Sequence, residues 1–264
     1  MIQKNKLYQQ LSDGHKSLSV LIDPDSFTTL EDLLGLIDLA TKNDIAYFFV
    51  GGSLITKDTQ RLIIHTIKNN CEIPVILFPG SNMHIDTDVD GILFLSLISG
   101  RNPELLIGQH VTAAPLLKKA NIEVLPTGYM LINGGNDTAV AYMSSTTPIP
   151  MEKKSIAVAT ALAGEMLGLK LIYMDAGSGA KNPITPEMIS EVKGQIDSPL
   201  IIGGGIDTIG KAQIALEAGA DTIVIGNAIE KDPNLLIEVS NIIHEMNKEL
   251  LSVSKKTGHL SQNE

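Results

Sequence analysis

The sequence predicts a single (β/α)8 barrel of the TIM-barrel type, and three observations support that fold class. Eight short apolar runs alternate with segments whose apolar residues recur at helical spacing. No linker or change of composition interrupts the alternation, so we expect residues 1–250 to form one domain. Glycine-rich turns follow the last three runs, and barrels often bind phosphate on their last loops. The predicted strands are Leu18–Ile22, Tyr47–Val50, Val75–Phe78, Ile92–Leu95, Glu123–Leu125, Leu171–Met174, Leu200–Ile202 and Thr222–Ile225.

A doubly wound open sheet is the alternative fold, because alternation along the chain does not by itself close a barrel. The residues before Leu18 are polar and helix-like, and we expect residues 251–264 to form a polar, mobile tail. The predicted helices are Thr28–Lys42, Lys57–Lys68, Pro103–Lys119, Glu152–Leu167, Thr185–Ile196, Asp207–Ala218 and Pro233–Leu250.

Two connections depart from the regular pattern. Only Pro79–Asp90 joins the third and fourth strands, and this segment lacks an apolar stripe. We therefore expect the third helix to be missing or reduced to a fragment. The segment Pro126–Pro150 contains Gly128 and the run Asn133–Asn136, which predicts an extended loop over one end of the domain.

Composition and charge exclude several classes of function. The 264 residues carry 20 Lys and Arg against 30 Asp and Glu, and a net charge of -10 argues against a nucleic-acid partner. Cys71 is the only cysteine, so an intramolecular disulfide and a cysteine-based zinc site are excluded. No apolar run approaches the roughly 20 residues that cross a bilayer, and Met1–Leu11 is too polar for a secretory signal. We therefore expect a cytoplasmic protein without stable membrane insertion.

Each of the three glycine-rich turns lies between a predicted strand and a predicted helix. Small residues let backbone N–H groups approach an anion closely, and a helix N-terminus adds a partial positive charge. One such turn is usually only a tight corner, but three in succession predict a phosphate site. The segments run from the end of the sixth strand into the turn, with Tyr173, Met174, Asp175, Ala176, Gly177, Ser178, Gly179 and Ala180, and contain Gly203, Gly204 and Gly205 after the seventh strand and Gly226 and Asn227 after the eighth.

Two aspartates follow the first predicted strand, in Asp23-Pro24-Asp25. The carboxyl ends of all barrel strands share one mouth, so Asp23 can meet Ser53, which follows the second strand. Mg²⁺ prefers oxygen ligands and typically takes one or two carboxylates, while water and substrate phosphates complete its shell. We expect Asp23 to bind Mg²⁺ with the Ser53 hydroxyl as a second ligand. The alternative is that one aspartate caps the helix that begins near Thr28.

Asp175 stands inside the first phosphate turn, where its carboxylate would repel a phosphate. Its presence there is better explained if the carboxylate orients a neighbouring hydroxyl or accepts its proton. The alternative is that Asp175 caps the turn that follows. Arg101 and Lys181 lie near predicted strand ends, where each could contact a pyrophosphate or be only a surface charge.

A set of motifs recurs in order along nearly the whole chain. They are Leu21-Ile22-Asp23-Pro24-Asp25, Val50-Gly51-Gly52-Ser53, Phe78-Pro79-Gly80-Ser81, Ser99-Gly100-Arg101-Asn102-Pro103, Pro126-Thr127-Gly128-Tyr129, Tyr173-Met174-Asp175-Ala176-Gly177-Ser178-Gly179-Ala180, Gly203-Gly204-Gly205 and Gly226-Asn227. With this order and spacing the chain resembles the geranylgeranylglyceryl phosphate synthase family, and within it the bacterial branch of the second group, which is related to heptaprenylglyceryl phosphate synthase.

The resemblance implies a Mg²⁺-dependent prenyltransferase. Such an enzyme moves a polyprenyl group, typically geranylgeranyl, from its diphosphate to the 3-hydroxyl of sn-glycerol 1-phosphate, forming an ether lipid precursor. Asp23 and Ser53 would hold Mg²⁺ against the diphosphate. Asp175 and Tyr173 would be the catalytic residues, with Asp175 acting on the hydroxyl. The resemblance also implies a homo-oligomer, either a dimer or a hexamer. Residues implied to hold glycerol phosphate are Tyr173, Met174, Asp175, Ala176, Gly177, Ser178, Gly179, Gly203, Gly204, Gly226 and Asn227.

Two positions depart from the family pattern. Many members carry Glu where this chain has Asp175, and many archaeal members carry Lys where it has Ser26. Two other functions share the phosphate turns, namely an isomerase or lyase that acts on a small phosphorylated metabolite, and a phosphate-binding barrel without catalysis. The first would not need the pair Asp23 and Ser53, and the joint presence of that pair with Asp175 argues against the second.

Overall fold

Eight parallel strands close into a barrel in the order in which they occur along the chain. The computed structural model describes residues 6–26 and 29–258. The strands are β1 (Ser17–Ile22), β2 (Tyr47–Gly52), β3 (Val75–Pro79), β4 (Gly91–Leu97), β5 (Glu123–Leu131), β6 (Leu171–Asp175), β7 (Leu200–Gly203) and β8 (Thr222–Ile225). β8 pairs with β1, with Thr222 opposite Ser17 and Ile225 opposite Val20. This pairing closes the sheet and rules out the open-sheet alternative.

Helices follow most of the strands and form the outer layer. They are α1 (Lys6–Leu11), α2 (Leu30–Lys42), α3 (Gln60–Asn70), α4 (Gln109–Lys119), α5 (Ala139–Ser144), α6 (Lys154–Met166), α7 (Pro186–Lys193), α8 (Ile209–Glu217), α9 (Asn227–Lys231) and α10 (Asn234–Gly258). Threonine hydroxyls cap several of them by accepting a backbone N–H of the first turn, as Thr185 does for α7 and Thr208 for α8. No helix within the described ranges is long and apolar enough to span a membrane.

The C-terminal helix is longer than the hydrophobic pattern predicts. It continues beyond Leu250 as far as Gly258, so the first part of the segment predicted as a polar tail is helical. Residues 259–264, the rest of that segment, lie outside the described residues.

The third helix of the barrel is reduced to one 3₁₀ turn, Asn82–His84, which confirms the interpretation of this segment. The turn is held from both sides. The Gln60 side chain of α3 donates to the His84 carbonyl at 2.8 Å, and the Asn82 amide donates to the Thr112 hydroxyl of α4 at 2.5 Å. The connection therefore crosses between α3 and α4 without covering the outer surface of β3 and β4 with a full helix.

The prediction of an extended loop over Pro126–Pro150 is wrong in two places. β5 continues to Leu131, and the short helix α5 occupies part of the remainder. Pro126 does not end the strand because its carbonyl accepts a bond from Lys170 at 2.8 Å, and β6 first pairs with β5 only at Thr127. A proline is tolerated where the neighbouring strand has not yet begun, because no ladder bond to its nitrogen is lost there.

Apolar side chains form two layers, one inside the barrel and one between the barrel and the helices. Phe49 and Tyr173 belong to the inner layer, whereas Phe48 and Met174 belong to the outer one. Helix α1 closes the barrel at the amino ends of the strands, where Leu7 enters the inner layer. The carboxylate of Glu123, the first residue of β5, accepts the N–H groups of Leu7 and Tyr8 at 2.9 Å. The opposite end, where the strands finish, carries the predicted site.

Candidate active site

The three glycine-rich turns come together at the carboxyl ends of β6, β7 and β8, as the sequence predicts. Gly204 has φ 81°, and a Cβ there would lie 2.6 Å from the Gly177 nitrogen and 2.7 Å from Oδ1 of Asp175. Only glycine allows this approach of the β7 turn to the β6 turn. The Asn227 amide donates to the Ser178 hydroxyl at 3.4 Å, which joins the β8 turn to them.

Asp175 is the last residue of β6 and lies in the floor of these turns, with 7% of its surface exposed. Its Oδ2 accepts the Tyr129 hydroxyl at 2.6 Å, and its Oδ1 accepts the Gly177 N–H at 2.7 Å. Burial raises the pKa of the Asp175 carboxyl, and these two hydrogen bonds oppose that rise. The capping alternative thus describes only one carboxylate oxygen, which holds the turn. The other oxygen accepts a hydrogen bond from the neighbouring strand β5.

Three aromatic rings pack beside Asp175 inside the barrel. Phe78 stacks on Tyr173 with centroids 5.4 Å apart and an interplanar angle of 18°. Tyr129 meets both rings edge to face, at 5.9 Å from Phe78 and 5.4 Å from Tyr173. A Cβ at Gly203 would lie 2.5 Å from the Tyr173 hydroxyl oxygen, so glycine leaves this oxygen room. We call Phe78, Tyr129 and Tyr173 the aromatic cluster.

The predicted phosphate-turn residues contribute in different ways. Tyr173 presents its ring to the barrel interior, whereas the Met174 side chain is fully buried against the helices, so only its backbone faces the site.

Phe78 and Tyr129 stand in two of the motifs, but the sequence interpretation assigned them no role. The alternation of inward residues along β5, from Leu125 to Tyr129, is the signal that could have placed Tyr129 inside the barrel.

Asp23 and Ser53 lie on the loops after β1 and β2. The Asp23 carboxylate is half-buried, and its Oδ1 accepts the Asp25 N–H at 2.9 Å. Within the described residues, Oδ2 of Asp23 and the hydroxyl of Ser53 make no hydrogen bond. A Cβ at Gly52 would lie 3.2 Å from Oδ1 of Asp23, so the end of β2, directly before Ser53, packs against this carboxylate.

This donor set fits a Mg²⁺ ion. Burial raises the pKa of the Asp23 carboxyl against the opposing Asp25 amide, and a bound cation would compensate the charge that burial disfavours. The described part of the chain contains no cluster of three or more His, Cys, Asp or Glu side chains that could hold a metal. A site of one carboxylate and one hydroxyl suits Mg²⁺, because this ion keeps several waters and binds substrate phosphates.

Asp25 does not cap α2, and neither does Asp23, because Thr29 occupies the capping position. The Asp25 carboxylate instead accepts the backbone N–H groups of Thr56 and Lys57 and the Thr56 hydroxyl, at 2.8 to 3.0 Å. These hydrogen bonds lower the pKa of the Asp25 carboxyl, led by the one from Lys57. Asp25 therefore fixes the loop after β2 to the loop after β1.

The basic residue beside the Asp23 and Ser53 pair is Lys57, which the sequence interpretation missed. Its ammonium donates to the Asp25 carbonyl at 2.5 Å, and its charge acts to lower the pKa of Asp23. Arg101 instead folds onto its own loop, where it donates to the Gly100 carbonyl at 2.6 Å. Lys181 is exposed on the β6 side of the mouth. No sequence rule joins Lys57 to Asp23, because their proximity results from the pairing of β1 with β2.

A cavity of about 50 Å³ opens between the 3₁₀ turn and α4, where a complete third helix would otherwise pack. Its lining is mainly apolar and includes Ile85, Phe94 and Ala113. His110 lies at its edge against Phe94, with centroids 4.4 Å apart, and burial lowers the pKa of its imidazole. The cavity therefore lies at the position that the missing helix would occupy.

A model of the PcrB family matches residues 15–246 of this chain. The chain belongs to the PcrB family. This membership agrees with the resemblance found from the motifs, because similar proteins are named geranylgeranylglyceryl phosphate synthase. The chain is 50% identical over 244 residues to the geranylgeranylglyceryl phosphate synthase of Chitinophaga pinensis, across 91% of this chain and 96% of that protein. It is 42% identical over 214 residues to the synthase of Thermococcus kodakarensis, across 80% and 83% of the two proteins.

A solved structure extends the comparison of this PcrB-family chain to three dimensions. The (S)-3-O-geranylgeranylglyceryl phosphate synthase of Thermoplasma acidophilum, in complex with its substrate sn-glycerol-1-phosphate, superposes with a TM-score of 0.85 at 30% identity. The match covers 93% of this chain and 100% of that structure. The family and the barrel fold are therefore established together.

Proposed function

We propose that this PcrB-family protein transfers a polyprenyl group, typically geranylgeranyl, from its diphosphate to the 3-hydroxyl of sn-glycerol 1-phosphate. The product is an ether lipid precursor. The observation that carries this proposal is the packing of the β6 and β7 turns around the buried carboxylate of Asp175, with the β8 turn joined to the β6 turn through Asn227. It is supported by the relatives of the same name and by the sn-glycerol-1-phosphate bound to the Thermoplasma acidophilum protein.

The turns after β6, β7 and β8 hold the phosphate of the acceptor through backbone N–H groups, because their glycines leave the backbone exposed to an anion. Fixing the phosphate at one end positions the 3-hydroxyl near Asp175 and Tyr173. The gain in rate comes from orientation, since an alcohol is a weak nucleophile. Asp175 orients this hydroxyl and accepts its proton, and each carboxylate oxygen keeps a second lone pair for the purpose.

In the transfer step, the allylic C–O bond of the donor breaks and its electron pair leaves with the diphosphate oxygen. The hydroxyl oxygen of the acceptor forms the new C–O bond, and its proton passes to Asp175. Asp23 and Ser53 would hold Mg²⁺, which when bound neutralises charge on the leaving diphosphate. Lys57, beside Asp23, adds a fixed positive charge at the same end. The prenyl tail leaves the barrel at the position of the missing third helix, where the small apolar cavity lies next to α4.

The decisive assay incubates the protein with labelled sn-glycerol 1-phosphate, Mg²⁺ and prenyl diphosphates of graded length. We expect an ether product that depends on both substrates. Absence of ether product with every donor would contradict the synthase proposal. An isomerase or lyase would instead change the labelled acceptor or another small phosphate ester without any prenyl donor.

The metal assignment predicts that EDTA abolishes turnover and that added Mg²⁺ restores it. The Asp23→Ala variant should lose most of its turnover because one carboxylate is the only charged ligand from the protein in this site. Asp38→Ala, a change of an exposed carboxylate paired with Lys42 on α2, is the matched control and should keep full activity. Full activity of Asp23→Ala, or of the EDTA-treated enzyme, would rule out the metal site.

We also propose that the protein is a cytoplasmic homo-oligomer, either a dimer or a hexamer. The small residues of α6, including Ala157 and Ala161, are buried against its own barrel, so they do not supply the interface. Exposed apolar side chains are better candidates, such as Val111 on α4 with 64% exposure and Met166 at the end of α6 with 82%. Sedimentation equilibrium at micromolar protein should give the mass of two or six chains, and a monomer at that concentration would contradict this proposal.

A further inference from the structure

The mouth of the barrel has two halves: the loops after β1 and β2, with Asp23 and Ser53, and the turns after β6, β7 and β8, beside Asp175. Phe78 contacts both halves. Its backbone carbonyl packs against Gly51, where a Cβ would overlap the carbonyl oxygen, and this contact fixes the end of β3 to the end of β2, just before Ser53. Its ring points the other way, into the barrel, and stacks on Tyr173 beside Asp175. The phenyl ring therefore lies between the residues that would hold the diphosphate and the carboxylate that would receive the acceptor proton.

Among the three rings of the aromatic cluster, Phe78 is the one accessible to a ligand. Tyr129 is 5% exposed and Tyr173 is 1% exposed, whereas Phe78 is only partly buried. The Tyr129 hydroxyl is also committed to Asp175. Phe78 has no polar group to offer, so whatever it contributes to the mouth comes from its aromatic surface.

The proposed reaction develops positive charge on the donor, and an aromatic surface can stabilise such a charge. When the allylic C–O bond breaks, the electron pair leaves with the diphosphate oxygen and positive charge spreads over the allylic carbons. The face of an aromatic ring carries negative potential and attracts a cation within about 6 Å of its centroid, most strongly where water is excluded. Both tyrosines packed against Phe78 are buried, so this side of the ring is shielded from solvent.

We propose that the ring of Phe78 is a catalytic group that stabilises the positive charge on the allylic carbon during prenyl transfer. This inference rests on the proposed function and names a further group for the same site. The ring forms and breaks no bond. It lowers the energy of the charged carbon until the 3-hydroxyl oxygen of the acceptor bonds to that carbon and Asp175 takes the proton.

The test measures binding, so it does not depend on turnover. The probe is an ammonium analogue of the donor, in which a quaternary nitrogen replaces the allylic carbon, added with Mg²⁺ and inorganic pyrophosphate. Its neutral carbon isostere is measured in parallel by calorimetry. We expect the preference for the ammonium probe over the isostere to be about 2- to 30-fold larger in the wild type than in Phe78→Leu.

Fluorinated phenylalanines placed at position 78 separate charge stabilisation from packing. Fluorine withdraws electron density from the ring face while nearly preserving ring size, so the ammonium preference should fall stepwise with the number of fluorine atoms. Pentafluorophenylalanine at Phe48, which is fully buried between the barrel and the helices, is the matched control and should not change the preference. A preference that is the same in the wild type, Phe78→Leu and the fluorinated series would overturn the inference.

Turnover of the same variants distinguishes this inference from the proposed function. If the wild type forms the ether product, kcat should fall in the same order as the ammonium preference, with an unchanged KM for sn-glycerol 1-phosphate. Ether formation without any effect of fluorine would overturn the role of Phe78 and leave the synthase function intact. A fluorine-dependent ammonium preference without ether formation would support the cation site and contradict the synthase reaction.

Discussion

At the scale of single residues, Asp175 meets two opposing requirements. Its position on the floor of the turns buries it and raises its pKa, yet it must be ionised to accept a proton. The hydrogen bonds from the Tyr129 hydroxyl and the Gly177 N–H keep the charged form accessible.

Tyr129→Phe tests whether the hydrogen bond from the Tyr129 hydroxyl offsets the effect of burial on the pKa of Asp175. Removing the hydroxyl removes a bond that lowers the pKa of Asp175, so that pKa should rise further. Because the ionised form is the active one, the acid limb of the profile of kcat/KM against pH should move to higher pH, and activity should recover at alkaline pH. In the described part of the chain the Tyr173 hydroxyl makes no hydrogen bond to Asp175, so Tyr173→Phe should move this limb far less. An unmoved acid limb in Tyr129→Phe would show that the Tyr129 hydroxyl does not control the pKa of Asp175.

Asp175→Asn is the companion variant, and it separates catalysis from folding. Turnover should fall by about 10²- to 10⁴-fold, as expected for loss of a general base. The folded-state pKa of Asp175 is raised, so its ionised form costs stability once the pH exceeds the unfolded-state value. Asn removes that charge, and denaturant unfolding at neutral pH should therefore show a variant at least as stable as the wild type. A variant that is active, or that is unfolded at neutral pH, would contradict the assignment.

At the scale of elements, the site depends on three βα turns that pack against one another. The β7 turn reaches Asp175 and Gly177 only because Gly204 has no Cβ. The β3 end is fixed to the β2 turn in the same manner, since a Cβ at Gly80 would lie 2.8 Å from the Ser53 carbonyl oxygen. Each half of the mouth is thus shaped by a glycine contact between neighbouring loops.

Gly204→Ala should weaken binding of sn-glycerol 1-phosphate. The residue has φ 81°, and a side chain there costs about 1–2 kcal/mol in addition to the overlap with the β6 turn. Calorimetry with sn-glycerol 1-phosphate measures the loss of affinity. Gly210→Ala, in the first turn of α8 with open space around its Cβ position, is the matched control and should bind normally. Equal affinity of the two variants for sn-glycerol 1-phosphate would show that the packing of the β7 turn on the β6 turn does not shape the phosphate site.

At the scale of the whole molecule, the two ends of the barrel have different tasks. Helix α1 closes the end at the amino ends of the strands with Leu7 and Leu11, and Glu123 holds its backbone. The other end carries the carboxylates, the glycine turns and the aromatic cluster. Because the barrel interior between them is filled by side chains, changes at the closed end should alter stability and leave the mouth unchanged.

Leu7→Ala tests this separation. Removing a buried leucine side chain should lower the free energy of unfolding by roughly 2–5 kcal/mol, measured by urea denaturation. The KM for sn-glycerol 1-phosphate should not change below the temperature of unfolding. Leu7→Met, which nearly conserves volume, should cost less than about 1.5 kcal/mol. A changed KM in either variant would show that the closed end and the mouth are coupled.

Sequence reasoning succeeded where the deciding signal is local. Hydrophobic periodicity predicted all eight strands, and the missing apolar stripe predicted the reduced third helix. Small residues at strand ends predicted the turns that the structure brings together. The error at Pro126 has the opposite origin, because a local rule treated proline as a strand breaker without knowing whether a neighbouring strand was present.

By itself the sequence determined the alternation of strands and helices, the glycine turns and the placement of Asp23, Ser53 and Asp175 at strand ends. Only the tertiary structure decided that the sheet closes, that Tyr129 bonds to Asp175 across 46 residues of chain, and that Phe78 links the two halves of the mouth. The physical reason is that helix and strand periods and turn chemistry involve neighbours along the chain, whereas these contacts join residues that meet only once the barrel has closed.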